Sequence, residues 1–184
     1  MIFGSGTSQV SDAELVTLVS QGDERAFAEL LKRHQDAVYG FARRLLKDPQ
    51  EAEDASQETF LRLYRTSGRY RPEASLRTYL LKIIKNICID HHRKKRPELM
   101  DKLPDTAEKD TPLDMLESAI VIDDLEKAIE ILPVNQRTAL LLRHTEQLSY
   151  KKISQVMDVS VGAVESLLVR ARRRLRETLK RIDQ

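Results

Sequence analysis

The sequence predicts an all-α protein built from two small helical domains joined by an acidic linker. Apolar residues recur at three- and four-residue steps, and no segment alternates as a half-buried strand does. Gly and Pro number only 6 each among 184 residues, which disfavours a fold rich in turns. Acidic residues gather after Pro97, where the apolar pattern stops. The C-terminal domain, which we predict to be a helix-turn-helix, follows this linker.

The N-terminal domain is expected to cover residues 11–96, behind a disordered tail of residues 1–10. Capping residues mark its helices, and the clearest start is Asp48, which is followed by Pro49 and then by Glu51 three residues after the cap. Four helices follow from these signals and from the apolar periodicity. They are a short helix capped by Ser11 and ended by the Gly22–Asp23 turn, a helix over 24–47, one from Asp48 to about 66–68, and one over 76–95 capped by Ser75.

The acidic linker is assigned to residues 97–122 and the C-terminal domain to residues 123–184. A helix can start at Thr111–Pro112 and run to Leu132, where Pro133 ends it. Shorter helices are predicted over 135–144 and from Ser149 onward. A three-residue connector, 158–160, then leads to a terminal helix capped by Ser160. The short helix, the connector and the terminal helix have the lengths of a helix-turn-helix.

Charge is distributed unevenly, although the net charge of the whole chain is only +2. Residues 76–96 carry seven basic and one acidic side chain, and residues 149–184 carry nine and four. Between them, residues 97–126 carry two basic and ten acidic side chains. Two basic segments on either side of an acidic one are typical of two polyanion-binding modules, whereas solvated charged surfaces are the alternative.

Several classes of protein are disfavoured by the sequence. Cys88 is the only cysteine, so an internal disulfide and a zinc site with several cysteines are excluded. The chain has no long apolar segment and no signal-peptide pattern at its start, which predicts a cytoplasmic protein without membrane insertion. No nucleophile–base–orienter set or phosphate-binding glycine loop occurs, so we expect no enzyme activity and no cofactor. We also expect no metal site, because the adjacent His91 and His92 point in different directions on a helix and no other ligand cluster exists.

The terminal helix carries the candidate residues for reading duplex DNA. In a helix-turn-helix the exposed residues at the start of the second helix contact base edges in the major groove. Arg170 can pair with guanine, Glu165 can accept from the cytosine amine, and Val169 can contact a thymine methyl group. The following arginines, Arg173 among them, are expected on phosphates. A surface helix with a basic solvent side is the alternative. The predicted base-contacting positions are Gly162, Ala163, Glu165, Ser166, Val169 and Arg170.

A second candidate surface combines a loop and the basic helix that follows it. Single-stranded nucleic acid binds positive grooves that also offer aromatic or pocket contacts to unstacked bases. Tyr70 and Asn86 are the predicted base contacts, whereas Tyr64 and Tyr79 are expected in the core. The full candidate set is Arg69, Tyr70, Arg71, Lys82, Lys85, Asn86 and Arg93.

Three stretches of this chain, in this order and spacing, resemble the bacterial extracytoplasmic-function (ECF) class of RNA polymerase sigma factors. They are residues 48–65 (DPQEAEDASQETFLRLYR), 75–93 (SLRTYLLKIIKNICIDHHR) and 132–175, which contains the helix-turn-helix. The resemblance extends from about Asp12 to Leu179. It implies a protein that binds core RNA polymerase, directs it to promoters and assists strand opening.

The resemblance also implies roles for single positions. Asp54, Gln57 and Glu58, with Leu61 on the same side of the helix, match the patch that docks on the β′ clamp helices of the polymerase. The loop and basic helix match the part that binds the melted −10 promoter element, and the helix-turn-helix matches the −35-reading domain. The β flap and an anti-sigma factor are further implied partners. The family often has Lys or Arg where this chain has Glu165, which suggests a distinctive −35 sequence.

Two other functions compete with the sigma-factor prediction. The first is a stand-alone helix-turn-helix regulator whose N-terminal half binds a ligand or a second copy. The second is a nuclease that uses clustered carboxylates, but most of the acidic residues fall in the linker, where they are poorly placed to converge on a metal. Polymerase binding without DNA distinguishes a sigma factor from a regulator, and Mg²⁺-dependent cleavage would reveal a nuclease.

Overall fold

The computed structural model describes residues 10–95 and 122–182, and all regular structure in these ranges is helical, as predicted. Four α-helices and one 3₁₀ turn, Ser67–Arg69, precede the gap, and four α-helices follow it. The α-helices are α1 Asp12–Ser20, α2 Glu24–Leu46, α3 Pro49–Thr66, α4 Leu76–Lys95, α5 Ile122–Glu130, α6 Val134–His144, α7 Tyr150–Met157 and α8 Val161–Ile182.

The contacts divide the chain into two units, with the boundary after Cys88 inside α4. The sequence placed the end of the first domain at residue 96, and α4 itself continues to Lys95. The predicted tail up to residue 9, the linker before Ile122 and the start of the helix expected from Thr111–Pro112 lie outside the described residues. The last part of that helix is observed as α5, which ends at Glu130, two residues before the predicted end at Leu132. Each unit is described by itself below.

Capping side chains start the helices of the first unit where the sequence predicted them. Ser11 and Glu14 form a capping box, in which Ser11 N–H donates to the Glu14 carboxylate at 2.8 Å. The Asp23 carboxylate accepts from Arg25 N–H and Ala26 N–H in the first turn of α2, at 2.8 and 3.0 Å. Asp48 accepts from Glu51 N–H at 2.9 Å, and Pro49 occupies the first helical position. These contacts satisfy amides that have no partner inside a helix.

The core of the first unit lies where α1 and α3 pack against α2. An ion-pair cluster at its edge joins α1 to α2, because the Asp12 carboxylate accepts from Arg33 at 3.1 Å and contacts His34 at 2.9 Å. The large side chains that are fully buried follow the predicted three- and four-residue spacing. They are Leu15, Leu30, Phe41, Leu45 and Leu63, with Leu80, Leu81 and Ile84 from α4.

The second unit is built around α8, which packs against α5, α6 and α7. The first half of α8 is covered by the buried side of α7, which presents Ile153, Val156 and Met157. The second half forms a separate apolar cluster with α5 and α6. Its buried members are Ala128, Leu132, Leu140, Ala171, Leu175 and Leu179. Because three helices pack against α8, half of its first ten residues are buried, and the other half remain for contact with a partner.

Cys88 is expected to be chemically inert in the folded protein. Its side chain is fully buried in α4, and burial raises the pKa of the thiol to about 12. Since the thiolate is the nucleophile, reaction with a disulfide reagent at pH 8 should be roughly a thousandfold slower than in the urea-unfolded chain. Release of the coloured thiolate measures the rate, and rapid labelling of the folded protein would contradict the buried position.

Candidate polymerase and nucleic-acid interfaces

The predicted polymerase-binding residues share the outer side of α3. Asp54 and Gln57 are exposed, and the Leu61 side chain is 46% exposed. Glu58 lies between them, and its carboxylate accepts from Arg62 Nε at 2.8 Å, which holds the pKa of Glu58 below its ordinary value. The patch therefore combines ionised carboxylates, an amide and an exposed leucine within three turns of one helix.

A groove of about 610 Å³ runs beside this patch, between α2 and α3. Gln57 and Leu61 belong to both the patch and the groove. The apolar residues that line the groove are Phe27, Leu31, Tyr39, Phe60 and Leu61, and the polar ones are Gln35, Asp36, Glu53, Ser56 and Gln57. The sequence did not predict this groove. Apolar periodicity would place Phe27 and Leu31 on the buried side of α2, but both are only partly buried.

Tyr64 was expected in the core, and this prediction is wrong. Its side chain is 47% exposed on α3, with the edge of its ring against Phe27 at a centroid distance of 5.4 Å. The reason is geometric: Tyr64 follows the exposed Leu61 by three residues, so it continues the outer side of α3 rather than the side that carries Leu63.

The loop between α3 and α4 exposes Arg69 and Arg71 but holds Tyr70 by contacts of its own. The Tyr70 ring meets the Tyr79 ring edge-on at 5.3 Å, and its hydroxyl donates to the Ala74 carbonyl at 3.3 Å. Burial raises the pKa of Tyr70, with a smaller contribution from the negative charge of Asp12. Tyr70 is half-buried and shapes the loop, so its contact with a base stays a prediction. Tyr79 is also only half-buried.

Helix α4 presents some of its predicted DNA-binding residues and hides one. Asn86 and Arg93 are exposed, and Lys82 is partly exposed. Lys85 was expected on the DNA-facing side, but its side chain is only 5% exposed. Lys85 follows Leu81 by four residues and precedes Cys88 by three, and both of these are buried. The helical repeat therefore turns Lys85 towards the interior, and direct contact with a phosphate is ruled out in this conformation.

The predicted helix-turn-helix is confirmed in the second unit. Ser149 caps α7, and Asp158, in the left-handed region at φ 57°, ends it. The connector is short because Val159 N–H donates back to the Ser154 carbonyl at 3.2 Å. Ser160 then caps α8 by accepting from Ala163 N–H at 3.1 Å. These local bonds set the angle between α7 and the recognition helix α8.

The outward strip at the start of α8 differs from the predicted set in two places. Glu165 is exposed, and Gly162, Val169 and Arg170 are partly exposed. Ala163 and Ser166 were expected at base edges, but their side chains are 2% and 0% exposed. The prediction failed there because α8 is covered on several sides, so small residues also fall on the packed surface. Val161, which the sequence did not single out, is 41% exposed at the first helical position.

Basic side chains surround this strip. Arg173 and Arg174 on α8 are exposed, and so are Lys151 and Lys152 at the start of α7. At the end of α6, the guanidinium of Arg143 lies over the Tyr150 ring at 5.3 Å. Burial lowers the pKa of the neighbouring His144, and the positive charges of Arg172 and Arg143 lower it further. This unit therefore carries a positive field suited to phosphates.

Two further observations concern the nature of the site. Among residues 10–95 and 122–182, no group of three or more His, Cys, Asp or Glu side chains is arranged to hold a metal ion. Over the same ranges, no helix has the length and apolar character needed to cross a bilayer.

Comparison with known protein families gives two matches, one on each side of the gap in the described residues. Residues 30–98 match the family Sigma-70 region 2, and residues 122–175 match Sigma-70, region 4. The first match contains the α3 patch and Asn86, and the second contains the helix-turn-helix. Both sets of candidate residues therefore lie inside regions that define sigma factors.

Comparison with individual proteins extends the similarity to nearly the whole chain. The RNA polymerase sigma-H factor of Pseudomonas aeruginosa is 37% identical, over 94% of this chain and 96% of its own length. The ECF RNA polymerase sigma-E factor of Haemophilus influenzae is 34% identical, over 89% and 93%.

Two solved structures share the fold. One is CnrH in complex with the cytosolic domain of CnrY, with a TM-score of 0.69 and 23% identity over 92% of this chain and 97% of that one. The other is the sigma factor RpoE of Bartonella quintana in complex with the anti-sigma factor NepR, with a TM-score of 0.64 and 26% identity over 84% and 96%. With both regions matched and relatives above 30% identity along almost its full length, this chain belongs to the ECF family of RNA polymerase sigma factors.

Proposed function

We propose that this sigma factor uses three separate surfaces to direct core RNA polymerase to its promoters. The observation that carries the proposal is the exposed strip at the start of α8, framed by basic residues and set by a helix-turn-helix. Such a strip reads base edges, whereas the arginines and lysines around it supply affinity that does not depend on sequence. The polymerase supplies the catalysis, and we propose that this chain supplies none and acts in the cytoplasm.

The first surface is the α3 patch, which we assign to the β′ clamp helices of the polymerase. Asp54, Gln57 and Glu58 offer carboxylate and amide acceptors to basic partners, and Leu61 offers apolar area at the edge of the groove. Charged groups around an exposed apolar residue are typical of interfaces, in which the apolar residue is desolvated on binding. We also propose that the C-terminal domain of this chain docks on the β flap of the polymerase.

The second surface is assigned to the melted −10 element. Arg69 and Arg71 on the loop and Lys82, Asn86 and Arg93 on α4 carry the exposed polar groups. Asn86 offers both a donor and an acceptor, which a single unpaired base can use. Lys85 is left out of this surface, because its side chain is only 5% exposed.

The third surface is assigned to the −35 element. Gly162, Glu165, Val169 and Arg170 face the major groove, and Arg173 contacts a phosphate. Ala163 and Ser166 hold α8 against its neighbours instead of touching bases. An anti-sigma factor is proposed as a regulatory partner, since one structural neighbour above 25% identity is a sigma factor bound to one.

Transcription in vitro tests this proposal directly. Core polymerase with the purified chain should initiate on a defined subset of a randomised promoter library, and core polymerase alone should not. Sequencing of the transcripts gives the −10 and −35 preferences together. A stand-alone regulator would instead bind a duplex operator without polymerase and direct no transcription, and that outcome would replace the sigma-factor proposal.

Replacing Arg170 by Ala should weaken promoter binding by about 1–3 kcal/mol and relax the preference at one −35 position. The reason is that a guanidinium pairs with the two acceptors of a single guanine. Binding of the holoenzyme to a panel of single-base promoter variants measures both effects. The control is Arg173→Ala, which should weaken binding equally for every variant. Because Arg170 is half-buried, the melting temperature of both proteins should be compared; an equal loss across the panel for Arg170→Ala contradicts the assignment.

A further inference from the structure

The composition of the α8 strip is unusual for a surface that faces DNA. Of the first ten residues of α8, five are exposed or partly exposed: Val161, Gly162, Glu165, Val169 and Arg170. Only one of them is basic, one is acidic, and two are valines. A phosphate-binding surface is rich in Lys and Arg, so this strip is suited to base edges rather than to the backbone.

Val161 is the most exposed apolar member of the strip. Its side chain is 41% exposed at the first position of α8, next to the capping Ser160. A β-branched residue gains nothing in helix propensity there, and a polar residue would be the ordinary choice for a solvated first turn. A single exposed apolar residue is common on protein surfaces, so the exposure of Val161 alone does not indicate a binding role. Its position relative to Glu165 does indicate one.

Val161 and Glu165 are four residues apart, so they are neighbours on the same side of α8, separated by about 6 Å along its axis. Val169 continues the same row after another four residues. In B-DNA the bases of one strand rise about 3.4 Å per step. Two neighbouring side chains of this row therefore reach bases about one or two pairs apart.

We propose that Val161 is a specificity-determining residue of the −35 contact and packs against the methyl group of a thymine one or two base pairs from the cytosine read by Glu165. The two valines then flank the carboxylate on the same row. A thymine C5-methyl is the major-groove feature that an apolar side chain recognises. This inference rests on the proposed function of α8, and it adds a base-reading position to it.

Deoxyuridine substitution tests the methyl contact without altering any hydrogen bond. Holoenzyme is first used to select a −35 element from a randomised library, and each thymine of the selected element is then replaced singly by deoxyuridine. For the unaltered protein, one such replacement near the Glu165-dependent cytosine should lower promoter binding about fourfold, the effect of losing one buried methyl group. For Val161→Ala, that same replacement should have no effect.

Two comparison variants sharpen the test. Val161→Thr keeps one methyl group at the same place, so it should keep part of the thymine preference. Ile131→Ala removes an apolar side chain that is 66% exposed outside α8, and it should leave every thymine-to-uracil ratio unchanged. Because each result is a ratio between two templates, effects on folding or on polymerase docking cancel.

The outcomes separate the two proposals. If transcription is promoter-specific but Val161→Ala shows the same uracil sensitivities as the unaltered protein, the role of Val161 is wrong and the sigma-factor function stands. A selected element without a thymine within two base pairs of the Glu165-dependent cytosine also overturns it. If the holoenzyme selects no −35 sequence at all, the proposed function of α8 fails, and the assignment of Val161 fails with it.

Discussion

Reversing charge on the α3 patch, with Gln57→Lys and Glu58→Lys together, should abolish stable binding to core RNA polymerase. The two substitutions change the charge of the patch by +3, directly beside the exposed Leu61 that the interface must desolvate. Placing like charges across an interface costs several kcal/mol, so we expect affinity to fall by at least about a hundredfold. Fluorescence anisotropy of the labelled protein against core polymerase measures the loss without DNA.

The fold should survive these substitutions. Gln57 is exposed, and the Glu58–Arg62 pair that is lost lies at the surface, where such pairs contribute little to stability. A matched control adds the same +3 on exposed positions in α1 and just after it, with Thr17→Lys, Ser20→Lys and Gln21→Lys. This control should bind polymerase normally. If it loses binding to the same extent, net charge is responsible; if the α3 variant binds normally, the docking surface lies elsewhere.

Replacing Asn86 by Ala should impair promoter opening much more than polymerase binding. Asn86 is exposed on α4, and its removal leaves α4 without the side-chain amide that we assign to an unpaired −10 base. Loss of a specific base contact is worth about 1–3 kcal/mol, so the fraction of open complexes should fall roughly tenfold to a hundredfold. Permanganate reactivity of the melted thymines measures that fraction.

Arg93→Ala is the informative comparison for Asn86→Ala. Arg93 is exposed near the end of the same helix, and its removal should weaken binding to every promoter and reduce the salt dependence. It should not change which −10 base is preferred. Asn86→Ala, in contrast, should lose discrimination at one −10 position. Equal discrimination by Asn86→Ala and the unaltered protein would show that Asn86 does not read a base.

The two surfaces that we propose to contact DNA differ in how well single exposed positions can be predicted from sequence. On α4, the exposure of Asn86 and Arg93 follows from the helical repeat, but Lys85 was misplaced because a lysine was assumed to face solvent. The repeat of the neighbouring buried residues, Leu81 and Cys88, was enough to correct this. On α8 no such local signal exists for Ser166, because its burial depends on how many helices surround it.

The positions at which the helices of this protein begin could be predicted from its sequence alone. Asp48, Ser149 and Ser160 satisfy free amides at the starts of their helices, and each of these hydrogen bonds joins residues three positions apart. The all-helical fold and the helix-turn-helix follow from such short-range chemistry and from apolar periodicity, whereas the family was indicated by the resemblance of three sequence stretches.

The tertiary structure alone decided which sides of the helices remain available to partners. The groove beside Leu61, the exposure of Tyr64 and Val161, and the burial of Ala163 and Ser166 all depend on which helices pack around each position. Periodicity identifies the most apolar side of a helix, but it does not determine how wide the covered sector is. That width is set by the number and angle of the neighbouring helices, which are contacts between residues far apart in the chain.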